Sequence, residues 1–143
     1  MSAKYEDANL ILKLYELRRE AVLRQARNWF FRDFQPTSAA SIFEVLKGEQ
    51  SAYYRMVTSY WEMACTLVTQ GAIDAEMFGQ ANGEHIYVFA KLEPFLADLR
   101  KEYGNPQLLG NLEKLVRSMP NADSVIKHFQ ERIAAMASAA KAR

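Results

Sequence analysis

Residues 53–71 read YYRMVTSYWEMACTLVTQG. Within them Tyr53, Val57, Tyr60, Trp61, Ala64, Leu67 and Val68 recur at the three-and-four spacing of one helix face. Arg55 and Glu62 are the only residues here that carry charge at neutral pH, and Met56 and Met63 add apolar surface outside the main stripe. A helix with so little polar surface belongs near the middle of a bundle. The stretch therefore predicts a central helix with the other elements packed around it. Gly71 stops that helix as a left-handed cap that needs no Cβ.

Upstream, Tyr5 to Phe34 contains neither Gly nor Pro and is rich in strong helix formers. It reads as one long first helix of about 45 Å at 1.5 Å per residue. A compact domain of this chain length is only about 35 to 40 Å across, so the helix must overhang the globule or bend. Ala8, Ile11, Leu12, Tyr15, Val22, Ala26, Trp29 and Phe30 form its core stripe, and Leu10, Leu14, Leu17 and Ala21 form a second stripe beside it. Two stripes need two partners. The Leu10, Leu14, Leu17, Ala21 edge is assigned to self-association, with a wide stripe inside one chain as the alternative.

Charge along this helix is sorted as the helix dipole favours, with Glu6 and Asp7 in the first turn and Arg24, Arg27 and Arg32 toward the end. Arg18, Arg19, Arg24, Arg27 and Arg32 near Trp29 and Phe30 could track a nucleic-acid backbone. Eighteen Lys and Arg against seventeen Asp and Glu leave a net charge of only +1. With no bulk basicity behind the run, a solvated helix face is the preferred reading and nucleic acid is argued against.

The remaining elements are signposted by caps and breakers. Pro36 disfavours helix at Gln35, and a short helix follows, started by Ser41 with Glu44 or by Ser38 with Ser41, and closed by Gly48. Asp74 caps a helix of about two turns that buries Met77 and Phe78 and ends at Asn82-Gly83. Another begins at Glu84, with Ile86, Phe89, Leu92, Leu96, Leu99 and Tyr103 on its inner face and Gly104 as its stop. Pro94 predicts a kink or break within it. Asn105-Pro106 launches a helix through Leu108, Leu109, Leu112, Leu115, Val116 and Met119. After Pro120-Asn121 a last helix carries Val125, Ile126, Phe129, Ile133 and Met136, then frays over 138–143.

Catalytic templates fail one after another. Neither His85 nor His128 has a Glu three positions earlier, so the di-metal bundle pattern is missing. Asp74, Glu76 and Glu84 near His85 make a weak metal constellation better read as a helix-start surface. The single Cys65, set in the apolar helix, reads as a buried reduced thiol and a poor nucleophile. No glycine-rich phosphate loop occurs. The reduced thiol and the lack of a signal peptide point to the cytoplasm, and no stretch approaches the roughly 18 apolar residues that a membrane span needs.

The run from Tyr60 to Arg100, YWEMACTLVTQGAIDAEMFGQANGEHIYVFAKLEPFLADLR, resembles a family of small bacterial helical domains of unknown function. The residues that carry the likeness are Trp61, Glu62, Gly71, Ile73, Asp74, Phe78, Pro94 and Arg100. Some relatives carry an N-terminal membrane segment that this sequence lacks. The resemblance implies an all-α fold and supplies no activity. Glu62 and Arg100 also stand out on physical grounds as a candidate polar pair in or near the core, because a charge leaving water must be paired or shift its pKa.

The sequence thus predicts an all-α, single-domain helical bundle over residues 1–143, of about six to seven helices. Its long N-terminal helix and central apolar helix organise the rest. The function reads as a non-enzymatic structural or protein–protein interaction module that forms a homo-oligomer, a dimer, through its first helix, or docks a protein partner. The alternative is a binder of small apolar ligands with an aromatic-lined pocket opened at Pro94. No catalytic residue, metal site or cofactor is assigned.

Overall fold

A computed structural model describes residues 4–142. The described residues form eight helices and no strand: α1 (Lys4–Arg18), α2 (Ala21–Arg32), α3 (Ala39–Lys47), α4 (Ser51–Thr69), α5 (Ala75–Ala81), α6 (Glu84–Tyr103), α7 (Gly110–Arg117) and α8 (Ala122–Ala142). The expected all-α bundle is what the chain forms. The expected central helix is α4, which packs against α2, α3, α5, α6 and α7. Its Val57, Trp61, Ala64 and Cys65 are sealed from solvent, and the buried apolar residues from Leu14 to Ile126 join them in one cluster. Gly71 ends the segment at φ 86.

The long first helix is two helices. The chain turns at Arg19-Glu20, and Glu20 becomes the N-cap of α2, its carboxylate accepting from the Leu23 amide at 2.8 Å. Glu can serve as a cap when the backbone turns, a role that residue preferences reserve mainly for Ser, Thr, Asp and Asn. The bend resolves the length problem: α2 lies along α4 while α1 diverges to touch α5. It also redistributes the stripes. Leu14 is buried, whereas Leu12, Tyr15 and Val22, expected in the core, are exposed.

Other boundaries follow local chemistry. Ser38 caps α3 in a reciprocal box with Ser41, so this start prevails over the Ser41-Glu44 pairing. Asp74 caps α5 through the Met77 amide at 2.8 Å. Of the kink or break expected at Pro94, the break is corrected: helix α6 runs unbroken through the proline. The start of α7 is corrected too, to Gly110, after a turn over 105–109, with Leu109 in the left-handed region at φ 54. Helix α8 continues to Ala142, through most of the Ala-rich tail expected to fray.

No helix of the described chain is long and apolar enough to cross a membrane.

Candidate functional site

Glu62 and Arg100 do not bond to one another; both hold α7. From α4, the Glu62 carboxylate accepts from the Leu112 amide at 2.9 Å, the Asn111 amide at 3.2 Å and the Asn111 side-chain nitrogen at 3.0 Å. The first amides of a helix have no partner inside it, and a carboxylate there is further favoured by the helix dipole. Glu62 is therefore a cap supplied by another helix. From α6, Arg100 donates through Nε to the Leu108 carbonyl at 3.0 Å and pairs with Glu113 at 2.9 Å. Burial pushes the Glu113 carboxyl up, but hydrogen bonds from Arg117 and Arg100 outweigh that and leave it below its usual range. The two grips explain how Leu109 can stay left-handed, a conformation that is costly for a residue with a Cβ.

A second polar knot is built on Trp61, the residue before Glu62 on α4. Arg27 grips Glu84 with two bonds, Nε at 2.9 Å and Nη2 at 2.7 Å, and the Trp61 indole donates to the same carboxylate at 2.8 Å. Arg18 lies over the Trp61 ring, 5.6 Å from its centre. Arg27 is thus committed inside the fold and is withdrawn from the exposed basic run. The Tyr60 hydroxyl donates to the Leu14 carbonyl, and the Asp74 amide donates to Asp7 at 2.8 Å. These bonds, with Arg18 over Trp61, fasten α1 to the rest of the molecule.

Two ionisable residues that the sequence reading left unassigned or at the surface are buried. Lys91 is 3% exposed, and its ammonium donates to the Phe30 and Phe34 carbonyls at 2.6 and 2.8 Å, closing the C-terminal end of α2. Burial holds its pKa down, at about 8. His85 is 2% exposed, between the rings of Trp61 and Phe78. Its pKa falls to about 4 because burial disfavours the imidazolium more than the Glu84 charge favours it. His85 and Lys91 each precede an inner-face residue, Ile86 and Leu92, by one position, and a helix buried over more than one stripe encloses such neighbours. That width was the one available signal.

The residues weighed for chemistry do not converge. Cys65 is enclosed, and its thiol is pushed up to about 12 by burial with the Glu62 charge adding to it. Asp74 is committed to capping α5 and Glu84 to Arg27 and Trp61. Among the described residues no group of three or more His, Cys, Asp and Glu could hold a metal ion.

Several surface features remain. On α1, Leu10 is 38% and Leu17 45% exposed, while Leu14, at 6%, leaves the proposed edge for the core; Ala21 is exposed at the start of α2. Beside Pro94 a groove of about 300 Å³ runs between the 35–37 turn, α6 and α8. Phe95 is its aromatic contact and alanines make much of its wall, so it is not the aromatic-lined pocket expected at the proline. A second hollow, of about 380 Å³, lies between α5, the start of α6 and the end of α7.

No curated protein and no solved structure matches the chain. Over residues 4–119 it matches the family described as a domain of unknown function, DUF4760, and it belongs to that family.

Proposed function

We propose that the protein is a non-catalytic helical interaction module that pairs with a second copy of itself through α1. The observation that carries this reading is the exposed pair Leu10 and Leu17, seven residues apart and so on one helix face. They stand on a helix that is fastened to its own bundle by Leu14, Ile11, Asp7, Tyr60 and Arg18. Helix α1 has Glu6 and Asp7 in its first turn and Arg18 in its last. An antiparallel pairing sets Leu10 of each copy against Leu17 of the other and brings the exposed Glu6 of each toward the other's basic end. The net charge of +1 raises no bulk repulsion against it.

A contact centred on two leucines per chain is small, which predicts a weak, reversible dimer. The enclosed free thiol of Cys65 supports a cytoplasmic setting for it. Sedimentation velocity tests the pairing. The wild type should dimerise with rising concentration, and a Leu10→Glu, Leu17→Glu double variant should stay monomeric with an unchanged helical spectrum. If the wild type is also a monomer at high micromolar concentration, pairing through α1 is wrong.

A further inference from the structure

The hollow between α5, the start of α6 and the end of α7 is walled by Phe78, Ile86, Leu115 and Met119, with His85 among its lining. Glu76, Gln80 and Ser118 also line it. The Nδ1 of His85 is sealed from solvent, and no described residue hydrogen-bonds to it. A buried polar atom without a partner is destabilising, and such exceptions mark places where a water, ion or ligand belongs. We propose that this hollow is a binding site for a small uncharged aromatic alcohol, whose hydroxyl hydrogen-bonds the His85 imidazole and whose ring packs against Phe78 and Met119. This site is independent of the pairing through α1.

Size, charge and chemistry each narrow the ligand. A cavity of about 150 Å³ holds benzene, so the space of about 380 Å³ takes one or two rings. Phe78 and the Met119 thioether are surfaces on which aromatic rings pack well. A neutral imidazole has one nitrogen that donates and one that accepts. A hydroxyl both donates and accepts, so it suits whichever nitrogen the ring presents. A half-turn about the Cβ–Cγ bond exchanges Nδ1 with Cδ2, and in the proposed complex the hydroxyl meets the nitrogen that this turn brings to the hollow. Glu76 is the charged residue on the lining, and none of the described lining residues is Lys or Arg. An anionic ligand is therefore disfavoured.

Phenol and toluene, which differ by a hydroxyl in place of a methyl, are the probes. Phenol titrated into ¹⁵N-labelled protein should shift the His85 ring nitrogens saturably while leaving those of His128 in place. Toluene should bind roughly five- to tenfold more weakly, the loss of one hydrogen bond. A His85→Phe variant should lose the preference for phenol. Gly79 lines the hollow, and a Cβ added there meets nothing within 4 Å. A Gly79→Leu variant, which leaves His85 and the core intact, should block both probes. Equal affinity for phenol and toluene, unmoved His85 resonances, or undiminished binding to Gly79→Leu would each overturn the assignment.

Discussion

The side-chain amide of Gln130 donates at 3.2 Å to the Ala90 carbonyl, the group that Pro94 leaves without its partner one helical turn on. The same nitrogen also reaches Glu93 at 2.9 Å. A residue on α8 thus supplies the backbone of α6 with the partner that the proline withholds, and α6 continues without the break that was one of the two outcomes expected there. Gln130→Leu should cost about 1 to 2 kcal/mol, because it strands a carbonyl of a buried residue. In a Pro94→Ala background, where the substituted alanine supplies the missing amide, the same change should cost markedly less. Urea unfolding of the four proteins measures the coupling, and additive effects would show that the bond does not offset the proline.

Glu62 should matter to α7 more than to its own helix. Glu62→Ala removes the acceptor of the Asn111 and Leu112 amides, with an expected loss of about 2 kcal/mol. Amide exchange should accelerate first at α7, with the centre of α4 still protected. Glu62→Gln keeps one accepting oxygen and should lose about half as much. Uniform acceleration across α4 and α7 would mean that Glu62 does not act as a cap.

Acid should unfold the protein partly through His85. Its pKa is about 4 in the fold against an ordinary value of 6.5, so between these the unfolded chain binds the extra proton. The stability tied to the neutral ring is full above pH 6.5 and is lost as pH falls through 4, up to about 3 kcal/mol. Glu84, the charged neighbour that favours the imidazolium, is already held by Arg27 and Trp61. His85→Phe should flatten this part of the stability profile, read as unfolding midpoints between about pH 4 and 7. An unchanged slope would show that His85 does not carry it.

Alkali engages groups of opposite sign. Burial raises Cys65 and Tyr60 each to about 12 and Tyr54 higher still, so the folded chain keeps protons that the unfolded chain gives up from about pH 9. Their contribution is present below about pH 9 and falls away as pH rises toward about 12. Lys91, lowered by burial to about 8, works the other way, since the fold releases its proton first and stability gains from about pH 8 to about 10.5. Stability should therefore rise slightly from about pH 8 to 9 and then decline. Lys91→Met should remove the early rise and leave the later decline, as denaturation midpoints across that range would show.

Much of this fold was legible because helix signals are local. The stripe through Trp61, the Asp74 cap, the Gly71 and Gly104 stops and the lack of strand periodicity act within one or two turns. The errors arose where a distant residue supplied what the local sequence withheld. Gln130 mends α6 at Pro94, while Glu62 and Arg100 hold the turn that delays α7 to Gly110. The bend that chain length allowed for the first helix had no local marker at Arg19-Glu20, because the segment has good helix propensity and Glu is not the usual cap. Of the site residues, Glu62 and Arg100 were legible as charges needing partners, but their partners on α7 were not.

By itself the sequence determined that this chain is all-helical, that α4 is its hub, and that Cys65 is enclosed, since periodicity, caps and composition report on burial along a single helix. Only the tertiary structure decided which leucines of α1 stay outside, how Pro94 is tolerated, and that His85 and Lys91 are buried. Those outcomes depend on which helix lies against which face, and pairings between residues dozens of positions apart leave no periodic trace in the chain.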